Sequence, residues 1–323
     1  LMRSTYERAR RHPARVVFPE GDNDRVVWAA AEIVREGVAR PVLIGNADRI
    51  SARFEELGHP VDGVRIIDPE HFDPMQRYVT SYYALRQRKG VTQAHAVADM
   101  RDPFYFASMM VREGDADGLV GGVTVNFGDV LRPALRVLGT RPDRRLVAGI
   151  YLMQHRKDLY FLADCMVNIQ PTAEDLAEIA IMTACEVRRF DIEPRVAMLS
   201  FSNFGAVRVQ QTDTVREAVR LVHEAEPDLM VDGPMQADTA LDLDLRSEHY
   251  PFTRLTERPN VLIFPNLESA NIAYKLLTRF SSGHVLGPLI VGTSRPVHLT
   301  DRSGSVGDMV NMAAVVSVDT AER

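Results

Sequence analysis

Short apolar runs alternate with amphipathic helical periods through the first part of the chain, and this alternation constrains the fold more than any other feature. Residues 15–19 read Arg-Val-Val-Phe-Pro, residues 41–45 Pro-Val-Leu-Ile-Gly and residues 64–67 Val-Arg-Ile-Ile. Each run is short and rich in β-branched residues, the mark of a buried strand. Between them, residues 24–36 turn Val27, Ala30, Ala31 and Val34 to one side, and residues 47–57 form a second helical period. Apolar strands separated by helices at this spacing imply βαβ units and a parallel sheet covered on both faces. The fold class expected is therefore α/β with mostly parallel sheets.

The remaining chain extends the pattern. Residues 1–12 read as a basic lead-in helix, and residues 73–113 as three helical pieces broken near Lys89-Gly90 and Asp102-Pro103. A strand over 116–122 ends in glycines, and a loop then leads to a helix over 129–138 that carries Arg132. The polar, proline-containing stretch 139–145 marks a boundary. Beyond it come strands at 146–153 and 159–163, a long helix at 172–189 with Thr172 as its cap, and a strand at 196–200. A helix at 213–224, strands at 229–232 and 260–264, and a helix ending at Arg279 follow. We expect a discontinuous first domain, residues 1–145 with 293–323, and a second domain, 146–292. Ligands of such sheets sit beyond the carboxyl ends of strands, which singles out the loops at Asn126, Asn203, Gly233 and Asn266.

Near the end, residues 287–314 read as strand, loop and helix. The loop holds Arg295, Arg302, Ser303, Gly304 and Ser305. A helix N-terminus offers unpaired N–H groups, and guanidinium forks fit phosphate oxygens, so an anion site is expected here. Ser305-Val-Gly-Asp308 also has the spacing of a capping box, which gives Asp308 a purely structural reading beside any chemical one.

Composition narrows the function. The net charge of −6 argues against nucleic-acid binding. No apolar run is long enough to span a bilayer, so no membrane partner is expected. Two cysteines, Cys165 and Cys185, support neither a disulfide framework nor a zinc site, and a reducing cytoplasm fits. No metal-ligand spacing and no G-x-G-x-x-G fingerprint for NADP are present. The chain starts at Leu1 rather than Met, which suggests a piece of a longer polypeptide.

Phe18-Pro-Glu-Gly21, Asp115-Ala-Asp-Gly118, Leu131-Arg-Pro-Ala-Leu135, Phe264-Pro-Asn-Leu267, Asn271-Ile-Ala-Tyr-Lys-Leu276 and Gly287-Pro288 resemble, in order, the phosphate acetyltransferase family. Met198-Leu-Ser-Phe-Ser-Asn-Phe-Gly205, Leu267-Glu-Ser-Ala-Asn271 and Pro296-Val-His298 resemble one branch of it, the C-terminal phosphotransacetylase-like domain of hybrid bacterial NADP-dependent malic enzymes. The resemblance implies two three-layer α/β domains of phosphotransacetylase and isocitrate-dehydrogenase-like type, a cleft between them, and a homodimer or higher homo-oligomer formed through the second domain.

It also implies roles for residues. Arg302 matches a phosphate-contacting arginine, Arg132 a second anion-binding arginine, Asp308 the proposed base, and Arg279 an arginine near the coenzyme A nucleotide. Yet the family's serine is Asp301 here, and its Thr-Thr pair is Asn126-Phe127. A carboxylate about 4 Å from a phosphate charge repels it by roughly 4 kcal/mol at an effective dielectric near 20. On that ground we expect lost transferase chemistry and no catalytic residue. The chain would be an acetyl-CoA-binding regulatory domain of a malic enzyme, with acetyl-CoA as allosteric ligand. The malic enzyme domains of the same polypeptide would be its partners, and NADP and a divalent metal would belong to them alone. The ligand contacts expected are Asn126, Arg132, Asn203, Phe204, Arg279, Arg295, Arg302, Ser303 and Asp308. An active phosphate acetyltransferase and a structural oligomerisation module are the alternatives.

Overall fold

The computed structural model describes residues 2–280 and 283–322, in two compact units: Leu1–Arg141 with Thr293–Arg323, and Pro142–Gly292. The first unit opens with α1 (Met2–Arg11), β1 (Arg15–Phe18), α2 (Asp24–Glu36), β2 (Arg40–Ile44), α3 (Ala47–Glu56) and β3 (Arg65–Ile67). It continues with α4 (Met75–Arg86), α5 (Gln93–Asp99), α6 (Pro103–Glu113), β4 (Gly118–Gly121) and α7 (Phe127–Val137). The second unit holds β5 (Ala148–His155), β6 (Asp158–Ala163), α8 (Ala173–Arg189), β7 (Arg195–Leu199), α9 (Gln210–Ala225) and β8 (Met230–Met235). Then come α10 (Ala237–Leu241), α11 (Leu243–His249), β9 (Val261–Ile263), α12 (Leu267–Phe280) and β10 (Val285–Val291). The chain returns to the first unit for β11 (Val297–Leu299) and α13 (Val306–Ala321).

In the first unit the strands run β3-β2-β1-β4-β11, every pairing parallel, as the sequence pattern requires. Two glycines of β4 show how it is covered. A Cβ on Gly118 would lie 2.5 Å from Val316 Cγ1 of α13, and one on Gly121 would lie 3.2 Å from Phe104 Cε1 of α6. Residues three apart on a strand point to opposite faces, so α13 and α6 cover β4 from its two sides. In the second unit the order is β10-β5-β6-β9-β7-β8, with β10, β5 and β6 antiparallel and the rest parallel.

Helix ends follow their caps. Thr172 Oγ1 accepts from Asp175 N–H at 3.2 Å, and the Asp175 carboxylate accepts from Thr172 N–H at 3.0 Å, the reciprocal cap expected for α8. α9 begins at Gln210 rather than Asp213, because the Thr212 hydroxyl accepts from Val209 N–H and donates to Val207 C=O, tying down an earlier turn. The helices α10 and α11, which the sequence pattern did not indicate, fold around Arg246. Its side chain is fully buried and donates to the carbonyls of Thr239, Ala240, Leu255 and Glu257. Burial lowers its pKa despite the nearby charges of Asp232 and Asp242. The stretch 297–299, read as loop in the sequence, is strand β11, with Val297, His298 and Leu299 all buried.

Gly118→Ala places a methyl against Val316 and Pro296, a close contact that neither neighbour can yield without moving α13. We expect a stability loss of about 1–3 kcal/mol from overpacking, read as a lower urea midpoint at unchanged slope.

Candidate active site

Parallel strands deliver their following loops to one edge of the sheet. In the first unit the connections after β1, β4 and β11 meet there. The loop after β4 turns at Gly122, whose φ of +104° suits glycine. A Cβ at this position would also lie 2.8 Å from Thr300 O. Thr300 N–H donates to Gly121 O at 2.9 Å, which locks the two loops together where β4 and β11 end.

Two side chains from the connection after β1 grip these loops. Glu20 accepts from the N–H groups of Gly122 at 2.8 Å, Val123 at 3.0 Å and Thr124 at 2.5 Å, and from the Thr124 hydroxyl at 2.6 Å. Arg25, in the first turn of α2, donates to the carbonyls of Arg302 at 2.7 Å, Gly304 at 3.0 Å and Val123 at 3.1 Å.

The expected site residues then take their places. Arg302 Nε donates to Val125 O at 3.3 Å, while its two terminal nitrogens have no partner among the described residues. Arg132 makes no hydrogen bond or ion pair among them either. It leans back along α7, reaching within 3.9 Å of where a Cβ on Gly128 would stand. Asn126 precedes α7, and its N–H donates to the Asp129 carboxylate at 3.3 Å. Asp308 caps α13, accepting from Ser305 N–H at 2.8 Å and from the Ser305 hydroxyl at 2.9 Å. Asp301 folds onto its own turn, accepting from Ser303 N–H at 3.0 Å and from the Ser303 hydroxyl at 2.9 Å.

Other expected residues lie elsewhere. Arg295 precedes β11 at its amino end, near Asp117, whereas Arg302 follows its carboxyl end. Three strand residues hold these two ends roughly 10 Å apart. Asn203 and Phe204 belong to the second unit. Asn203 is clasped to Gln236 by hydrogen bonds of 2.9 Å and 2.7 Å, and Phe204 packs on Tyr250 and Phe252 with ring centroids 5.0 Å away. Arg279 is exposed in the last turn of α12. A cavity of about 490 Å³ opens beyond β7 and β9, lined by uncharged groups that include Gln170, Ser200, Phe201, Gln211, Thr214 and Asn266. Among the described residues no group of His, Cys, Asp and Glu is placed to hold a metal ion, and no helix is long and apolar enough to cross a membrane.

Glu20 and Arg25 were missed as site residues, though both left a signal. Glu20 follows a buried parallel strand, and Arg25 is a cation in a first helical turn, where the dipole disfavours it.

The chain has relatives. The model of the family described as phosphate acetyl/butaryl transferase matches residues 1–317. The chain belongs to this family. It is 36% identical over 325 residues to a phosphate acetyltransferase of Clostridium acetobutylicum, covering 98% of each chain. A phosphotransacetylase structure from Streptococcus pyogenes superposes with a TM-score of 0.93 at 34% identity, over 99% of both chains. An NADP-dependent malic enzyme of Escherichia coli is 38% identical over 324 residues, but these make up only 43% of that protein.

These matches correct the sequence reading. The chain aligns over 98% of some phosphate acetyltransferases and over 43% of the malic enzyme, so the expectation of a non-catalytic malic enzyme regulator falls. The malic enzyme, oxidoreductase and NADP assignments fall with it. The argument for lost chemistry had rested on Asp301. That carboxylate is folded onto its own turn by the two donors of Ser303, so it is not the freely placed charge that the estimate assumed.

Cys165 is fully buried, and burial, with the Asp164 charge, pushes its thiol pKa up. It is thus no candidate for a thiolate nucleophile. Iodoacetamide labelling followed by mass spectrometry should modify the partly exposed Cys185 in the native protein, and Cys165 only after unfolding.

Proposed function

We propose that the chain transfers an acetyl group reversibly between coenzyme A and inorganic phosphate, with acetyl-CoA as a substrate. The observation that carries this reading is a pair of arginines, Arg302 in the loop after β11 and Arg132 in α7 after the β4 loop, whose terminal guanidinium nitrogens have no partner among the described residues, the two loops being joined by a backbone hydrogen bond. Such groups bind phosphoryl oxygens in a fixed fork.

In the direction of acetyl-CoA formation, the arginines hold the phosphoryl group of acetyl phosphate. Asp308 takes the proton of the coenzyme A thiol, and the thiolate attacks the acetyl carbonyl carbon. The C–S bond forms, the C–O bond to phosphate breaks, and phosphate leaves with the bonding pair. The N–H groups of Val306 and Gly307, in the uncovered first turn of α13, are suited to the oxyanion that forms on the carbonyl oxygen. Phosphate is stabilised as it departs by the same arginines that bound it.

Arg302→Ala should lower kcat/KM for acetyl phosphate by about 10²–10³-fold, the usual loss of one transition-state donor. Acetyl-CoA formation from acetyl phosphate and coenzyme A, followed at the thioester absorbance, tests this. A wild-type protein with no such turnover would overturn the assignment.

We also propose that the second unit forms a homodimer through α12. Ile272, Leu276 and Phe280 are exposed at a spacing of four residues along one face of that helix. Leu276→Glu should convert a dimer to a monomer in light scattering, and a wild-type protein that is already monomeric would sink the idea.

A further inference from the structure

We infer that Glu20 and Arg25 are positioning residues that together set the geometry of the arginine-bearing loops, an inference that rests on the acetyl-transfer reading. Both come from one connection, and that connection is fixed to the sheet. Gly21 N–H donates to Ile44 O at 3.1 Å, and a Cβ on Gly21 would stand 2.6 Å from the same oxygen, so the chain is pressed against the end of β2. Asn23 caps α2 through Arg25 N–H at 3.0 Å, which fixes where the Arg25 side chain starts.

The two side chains divide the loop backbone between them. Glu20 takes only N–H and hydroxyl donors, from Gly122, Val123 and Thr124. Arg25 takes only carbonyls, from Val123, Arg302 and Gly304. Val123 is therefore held at both its N–H and its C=O, in the two peptide groups that flank its Cα. Arg302 is held by its own carbonyl, on the same residue as the guanidinium that would meet phosphate. Other arginines of this unit pair with carboxylates, as Arg15 does with Asp117 and Arg53 with Asp24. Among the described residues Arg25 has no carboxylate partner, so none of them neutralises its charge beside the phosphate-binding loop. A helix N-terminus is an unfavourable place for a cation, and three carbonyls offset that cost.

Substitution should loosen the loops without unfolding the unit. In Arg25→Ala, kcat should fall roughly 100-fold, the scale expected when a reacting group is misplaced by about an ångström. Arg25→Lys should fall between Ala and wild type, because an ammonium cannot span three carbonyls as a fork does. Glu20→Gln turns one acceptor into a donor facing N–H groups and should act in the same direction. Arg35→Ala, on the far end of α2, is the control.

The test pairs kinetics with hydrogen exchange of the intact protein. The expected result is a loss in kcat and weaker use of acetyl phosphate at unchanged KM for coenzyme A, with faster exchange confined to residues 122–126 and 300–305. Wild-type kcat and loop exchange in both Arg25→Ala and Glu20→Gln would overturn the inference. So would faster exchange spread over the whole first unit with a matching fall in Tm, which would make the pair merely structural. If the wild-type protein transfers no acetyl group, the functional reading fails by itself, and the exchange comparison still decides whether the two side chains hold the loops.

Discussion

The parallel pairing of β11 with β4 is the interaction on which the first unit depends. Three residues, Val297, His298 and Leu299, align with Leu119, Val120 and Gly121. Where that ladder stops, Gly122 and Thr300 come close enough that no side chain fits between them. Everything of chemical interest grows out from that contact: the nest of N–H groups that receives Glu20, the carbonyls that receive Arg25, and the loop that carries Arg302. The segments carrying Arg302 and Arg132 come together because two distant stretches of chain end their strands at the same level of the sheet. Geometry of this kind is cheap for a parallel sheet, whose strands all finish on one side.

Much of the fold was legible in the sequence. The boundaries of α2 were readable from 24 to 36, and the start of α8 from Thr172, because periodicity and a capping box are local signals. What escaped was non-local. β11 is three residues long, preceded by a proline, and has no period to detect; it is a strand because β4 offers it an edge. The helices α10 and α11 escaped because they are organised by Arg246, whose burial among carbonyls no pattern announces. In the candidate site, the family motif pointed to Arg302, Arg132 and Asp308 as ligand contacts. Arg295 looked equivalent to Arg302 only while the residues between them passed for loop.

The misjudgement of Asp301 has a physical lesson. A substitution read one residue at a time invites a Coulomb estimate at a fixed distance in a uniform medium. Here the next serine but one, Ser303, supplies both a backbone and a side-chain donor to the new carboxylate. Hydrogen bonds within its own turn stabilise that charge and fix where it points, so a distance assumed from the motif alone does not describe it. A local change in one motif was thus weighed against the agreement of the entire chain, and the agreement was the stronger constraint.

The placement of β11 also orders events in time. The second unit is continuous in the chain, while the first needs a strand and a helix that follow the whole of the second. On a ribosome, β4 therefore emerges long before the strand that borders it, and one side of its ladder stays open throughout the synthesis of the second unit. An open parallel edge invites wrong partners. Completion of the first unit, and of any chemistry on its loops, is deferred until the segment after the second unit has been made, so a nascent chain can carry a finished second unit while the loop bearing Arg302 does not yet exist.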